Sequence, residues 1–251
     1  MKTIKNQGFT LVELLVVIGI LGILSAALFP AIGSAVLKAN MTAVGTRGKD
    51  IYVAIVGANT EREPLGLGNV WPKRALAVNP NAGGGVVDIA ERQFQTSSDY
   101  FDVLLDGQNL GTPNWSPYAQ GLDFSKLSGA GVPARPAGNG ALLPANNMWT
   151  IAADIRDELE DILPILGSRN VDETQVLQAT INNTPTAPIQ NWNAGGATRT
   201  SPFSNKGFVM VRKGGAIFTL SAKYVNQFVI YQGQSFDTSA GGSVPISYLI
   251  P

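Results

Sequence analysis

The chain has 251 residues, 45% of them apolar, with 18 basic and 18 acidic side chains and neither cysteine nor histidine. That length and apolar share can bury one sizeable core with an extra element to spare, and no basic stretch stands out as a nucleic-acid surface, so no nucleic acid is expected as a partner. Without cysteine or histidine there is no disulfide, no thiolate or imidazole zinc site, and no Ser–His–Asp or Cys–His pair; only carboxylates or a Ser/Lys dyad are left for catalysis.

Residues 1–8 form a short polar leader with Lys2 and Lys5 and no acid. From Leu14 to Ile32 nineteen residues pass without a charge. As a helix they would be about 28 Å long, the thickness of a bilayer's hydrocarbon core. The preceding lysines would keep the N-terminus in the cytoplasm and send the rest of the chain outward. Glu13 stands at the edge of this run, and a carboxylate at mid-bilayer costs about 2.5–3.5 kcal/mol on insertion scales. A secretory signal cut near the small residues Ala31–Ala35, a plain anchor and a buried globular helix all fit the apolar run. None of the three accounts for Glu13, or for the Gly8-Phe9 pair just before it.

The stretch Lys2…Lys5…Gly8-Phe9-Thr10-Leu11-Val12-Glu13-Leu14 resembles the processing motif of type IV pilins and of type II secretion pseudopilins. The resemblance implies cleavage by a prepilin peptidase between Gly8 and Phe9, N-methylation of Phe9, and polymerisation with other pilin or pseudopilin subunits. It also implies an inner-membrane assembly platform, and a single-pass inner-membrane precursor with its head in the periplasm that later joins a pilus or pseudopilus. For Glu13 it implies a role in assembly. The physics agrees: a carboxylate in an apolar setting needs a cation, the α-amino group freed at Phe9 is one, and breaking half of a buried pair costs about 3–5 kcal/mol. Gly19, Gly22 and Pro30 weaken the helix, each glycine by roughly 1 kcal/mol and an interior proline by about 3. They mark a kink in a membrane helix or, as the family implies, a segment that melts on entering a filament.

Beyond the membrane, Ala35, Ala39, Ala43, Ile51 and Ile55 form a four-residue ladder broken by Arg47, and the helix should end near Asn59. Segment 64–146 is rich in Gly, Pro and Asn, with one short helix at 98–105 capped by Thr96 or Ser97. Residues 147–152 have a strand-like composition, and the segment reads either as one amphipathic helix through Ile151, Ile155, Leu159 and Ile162 or, in the favoured reading, as a short strand and then a helical turn at 157–162, with Pro164 opening the next segment. Residues 207–213 and 216–220 should form a hairpin around Gly214-Gly215, and 227–231 a third strand. The fold class is therefore α+β: a long N-terminal helix packed on a small antiparallel sheet with long irregular loops. The expected domains are a leader at 1–8, a transmembrane helix at 9–33 and a head at 34–251.

Few residues suggest chemistry. Asp154, Asp157, Glu158, Glu160 and Asp161 read as a solvated face, lacking the glycine-punctuated spacing of a calcium loop. Asp237, near Thr238 and Ser239, is a weak calcium candidate; otherwise no cofactor is expected. Trp71, Trp115, Trp149 and Trp192 fit packing better than sugar stacking, and Gly83-Gly84-Gly85 lacks the Gly-Lys-Ser/Thr of a phosphate loop. The expected function is structural and not enzymatic. The alternative is a membrane-tethered extracytoplasmic module, binding sugar or protein, or an enzyme using the same anchor.

Overall fold

The computed structural model describes residues 9–75, 88–106, 118–136, 141–171, 180–181, 201–234, 236–237 and 247–251. One helix dominates the chain: α1, Leu11–Arg62, 52 residues or about 78 Å. It outlasts the expected end at Asn59 by one turn and passes into a 3-10 turn, Glu63–Leu65. Pro64 has no N–H to continue the ladder, and Gly66 takes a left-handed φ of 68° that closes the end.

The chain divides into two compact units, one through Asn40 and one from Met41 to Pro251. In the first, the large apolar side chains from Leu11 to Phe29, with Ile32 and Val36, are all exposed. This helix is long and apolar enough to cross a membrane.

The second unit is built on a five-stranded antiparallel sheet. Its strands are β3 (Trp149–Ala153), β4 (Pro164–Ser168), β6 (Gly207–Arg212), β7 (Ile217–Ser221) and β9 (Ser247–Leu249), in the order β7-β6-β4-β3-β9. Two small two-stranded sheets pair β1 (Lys73–Arg74) with β2 (Gln93–Phe94) and β5 (Thr180–Ile181) with β8 (Phe236–Asp237). The expected hairpin is β6–β7, in register from Gly207↔Ser221 to Val211↔Ile217. The long helix and antiparallel sheet make the α+β class.

From Met41 onward α1 buries one stripe: Met41, Val44, Gly45, Gly48, Ile51, Ile55 and Ala58. The expected ladder is corrected here, because Ala35, Ala39 and Ala43 are exposed. Two glycines set the stripe. A Cβ at Gly45 would stand 2.6 Å from Ile217 Cγ2, and one at Gly48 would stand 2.7 Å from the Trp149 ring and 2.9 Å from Val211. The helix thus crosses β6 and β7 where its own surface is lowest, and the alanines fall off that line.

The opposite face of the sheet carries Phe208, Met210 and Arg212, which alternate with the Val209 and Val211 that meet α1. Residues 227–231, expected as a strand, form the short helix α3, Gln227–Ile230. The Asn226 side chain accepts the Val229 N–H at 2.9 Å, and a side-chain cap of that kind starts a helical turn where a β-rich composition would favour a strand. Arg212, 3% exposed, secures it by donating to Ile230 O at 2.8 Å, with its guanidinium 3.7 Å from the Phe218 ring centre.

Helix α2, Ser97–Asp106, is capped by Thr96, whose hydroxyl accepts the Asp99 N–H at 3.1 Å. A buried polar knot ties it to β3. Ser97 Oγ donates to Trp149 O at 2.7 Å, Asn147 Nδ2 donates to Ser97 Oγ at 2.9 Å, and Trp149 N–H donates back to Asn147 Oδ1 at 2.9 Å. Residues 157–162 are turns and not the expected helical turn. Leu159 N donates to Arg156 O and Leu163 N to Glu160 O; these three-residue closures bury Ile155, Leu159 and Leu163, and Pro164 then opens β4.

Candidate functional site

The first turn of α1 is built by Thr10 and Glu13. Glu13 Oε2 accepts the Thr10 N–H at 2.9 Å and the Thr10 hydroxyl at 2.7 Å, and Thr10 Oγ1 accepts the Glu13 N–H at 3.3 Å. This is a capping box, a Thr three residues before a Glu with each satisfying the other's free backbone donor. A negative group in the first turn also opposes the positive end of the helix dipole. So Glu13 has a local structural duty, and Thr10, whose spacing to Glu13 is readable in the sequence, belongs to the site.

The cap occupies half of the carboxylate. Both Thr10 donors fall on Oε2, and Oε1 has no hydrogen-bond partner among the described residues. A carboxylate offers about four lone-pair positions, so room is left for a further donor. Around it Phe9 and Leu11 are each 79% exposed and Val12 67%. The turn therefore presents an acid with one open oxygen inside an unburied apolar surface.

The other expected positions fall as follows. Gly8 lies outside the described residues, and Phe9 precedes the helix. A Cβ added at Gly19 or Gly22 would meet no atom within 4 Å. Helix α1 runs without a break through both of them and through Pro30. Asp237 is in β8, opposite Thr180. Trp71 and Trp149 are buried at 7% and 0% exposure, while Trp115, Trp192, Gly83-Gly84-Gly85, Thr238 and Ser239 lie outside the described residues.

In the second unit a polar cleft of about 680 Å³ is lined by α1, the turn after it and two loops, with Glu63, Trp71, Asp157, Asp161 and Lys213 among its walls. Asp161 pairs with Lys213 at 3.6 Å. Burial first, and the nearby Asp161 charge second, push the Tyr52 hydroxyl above its ordinary pKa. Glu158 and Glu160 are exposed, and among the described residues no three acids converge as a ligand set.

Residues 4–29 match the family model of the prokaryotic N-terminal methylation motif. No curated protein and no solved structure matches the chain. The match covers the second part of the leader, the capping box and most of the apolar run. It implies processing by a prepilin peptidase, and with the apolar helix it supports anchoring in a membrane. The chain carries the prokaryotic N-terminal methylation motif and in this is consistent with a type IV pilin-like protein or pseudopilin.

Proposed function

We propose that this protein is a structural subunit of a type IV pilus-like or type II secretion pseudopilus filament. The precursor sits in the inner membrane through α1 with its head in the periplasm. A prepilin peptidase cuts between Gly8 and Phe9 and methylates the new amine, and an inner-membrane platform passes the subunit into a polymer of pilin-like chains. Lys2 and Lys5 leave with the leader, so 16 basic side chains remain against 18 acids. The cut also frees an amine four residues before Glu13, an acid that has no cation partner among the described residues.

One observation supports this most: among the described residues Glu13 keeps Oε1 open while Thr10 holds Oε2. A helix cap alone needs one oxygen. The second can accept the Phe9 amine of a neighbouring subunit without breaking the cap, so α1 need not fray as the filament grows. Melting near Gly22 and Pro30 would belong to that transfer. No catalytic step and no cofactor is assigned to the chain.

The test is the mass of the N-terminal peptide after co-expression with a prepilin peptidase. A peptide beginning at N-methylated Phe9 is expected. A mature chain beginning near residues 34–36 would mean release by an ordinary signal peptidase. The cleft beside Trp71, Asp157 and Asp161 favours a second reading, a tethered module that binds a small polar or cationic ligand. That module would work as a monomer and would not need Glu13.

A further inference from the structure

The polar cleft of the second unit carries two kinds of unfilled group. Among the described residues its walls hold three carboxylates and one base: Glu63 from the turn after α1, Asp157 and Asp161 from the loop between β3 and β4, and Lys213. The lysine is already engaged. Its ammonium stands 3.6 Å from Asp161 Oδ1 and donates to Asp157 O at 2.9 Å. The carboxylates of Glu63 and Asp157 have no hydrogen-bond or ion-pair partner among the described residues. The other bases nearby are committed elsewhere or outnumbered. Lys49 lies on the Tyr52 ring and donates to Gly215 O at 2.7 Å, Arg62 pairs with Asp88, and Lys73 and Arg74 belong to β1. Arg156 is exposed beside Asp157, but the same loop adds Asp154, Glu158 and Glu160. A concave wall with excess negative charge concentrates cations.

The second kind is neutral donors with nothing to donate to. Trp71 lines the cleft and is only 7% exposed, yet its indole N–H has no partner among the described residues. Trp149, by contrast, places its N–H on Lys126 O at 3.0 Å. The Trp71 nitrogen is not sealed in the core, and the cleft is the space this side chain borders. Asn59, also in the wall, uses its Oδ1 to accept the Val70 N–H at 2.7 Å, which leaves its Nδ2 hydrogens over. Buried indoles and amides ordinarily find acceptors.

Carboxylates without a cation and donors without an acceptor, in one cleft, define a ligand class. A bare metal ion fits poorly: among the described residues no three acids converge, and calcium takes six to eight oxygens. A plain polyamine would satisfy the carboxylates but cover Trp71 and Asn59 without offering an acceptor. A neutral sugar would serve those donors but strip water from two carboxylates without bringing a cation. We propose that the cleft binds a hydroxylated organic amine, such as an amino sugar, with its ammonium on Asp157 and Glu63 and its hydroxyls on Trp71 and Asn59. The volume of about 680 Å³ is that of a small-molecule site. The inference rests on the reading of this cleft as a ligand site and narrows it to one class; it does not depend on whether the chain polymerises.

Calorimetric titration of the full chain in detergent, in a mildly acidic buffer that keeps amines protonated, compares fully deacetylated tetraglucosamine with cellotetraose and with spermidine. Tetraglucosamine should bind about tenfold more tightly than either, and the exposed-site variant Asp157→Asn should weaken it about tenfold. Trp71→Phe keeps most of the ring and loses the N–H; it should weaken tetraglucosamine severalfold and leave spermidine unchanged. Glu13→Gln should bind as the parent does, which separates this site from the filament. Spermidine binding as tightly as tetraglucosamine would overturn the inference while leaving a cation-binding cleft. Cellotetraose at equal affinity would overturn it from the other side, and full affinity in Asp157→Asn would place the ligand elsewhere. If none of the three compounds binds, the reading of the cleft as a ligand site falls with it.

Discussion

Glycine-to-alanine substitution at three points of α1 tests how the helix meets the sheet. Gly45, Gly48 and Gly57 lie on one helix, and alanine is better than glycine in a helix interior by about 1 kcal/mol. At Gly57 nothing lies within 4 Å of the added Cβ, so Gly57→Ala should stabilise by about 0.5–1 kcal/mol. At Gly48 the Cβ would come to 2.7 Å from Cη2 of Trp149, a ring with 0% exposure. Trp149 is held by its indole N–H on Lys126 O at 3.0 Å and cannot swing aside. Overpacking of this kind costs about 1–3 kcal/mol, giving a net loss of up to about 2 kcal/mol after the propensity gain. At Gly45 the neighbour is the Ile217 Cγ2 methyl at 2.6 Å, on an edge strand and 40% exposed. It can turn away, so Gly45→Ala should fall between the other two. Thermal unfolding of the full chain in detergent, followed by tryptophan fluorescence, should rank Tm as Gly57→Ala, parent, Gly45→Ala, Gly48→Ala, with about 2–4 °C per kcal/mol. A Gly48→Ala protein as stable as Gly57→Ala would refute the close approach of α1 to β3 and β6.

Three further outcomes are expected. Asn147→Ala strips the Trp149 N–H of its side-chain acceptor and Ser97 Oγ of its donor in a site with 0% exposure, and the denaturant midpoint should report a loss of about 1–3 kcal/mol. Thr10→Ala removes the cap on α1 at a cost of about 1 kcal/mol, and amide exchange at residues 11–14 should quicken while the head's exchange is unchanged. Burial holds the hydroxyls of Tyr100, Tyr231 and Tyr248 above the ordinary value of 10.0. The unfolded chain therefore releases these protons first, and stability, fully present below pH 10, should fall as pH rises beyond it. Phenolate absorbance should show the three ionising together with unfolding, and their titration in a folded chain would contradict the packing.

Much of this structure is local enough to read from sequence. The Gly214-Gly215 turn sits between two β-rich runs, Thr96 caps α2, and Pro164 opens β4; each signal acts within a few residues. The apolar run and the motif around Glu13 are equally local. What could not be read depends mostly on distant partners. The buried stripe of α1 is chosen by Trp149, Val209, Val211 and Ile217, more than a hundred residues away, so small alanines look like the docking face when two glycines provide it. Residues 227–231 have strand composition but become α3 because Asn226 caps them and Arg212, from β6, donates to the carbonyl at their end. The Thr10–Glu13 spacing is visible, yet the cost of an acid in lipid masks its service to the helix end.

The most direct test of the proposed role for Glu13 is the yield of sheared filaments from cells making Glu13→Gln, relative to the parent, with the N-terminal peptide of both shown to begin at Phe9. Glutamine still accepts from Thr10 but carries no charge for the amine of a neighbouring subunit. Loss of half a buried pair at about 3–5 kcal/mol should lower the yield by two orders of magnitude or more while the processed subunit accumulates in the membrane. Filaments at parental yield from the processed Glu13→Gln chain would contradict it.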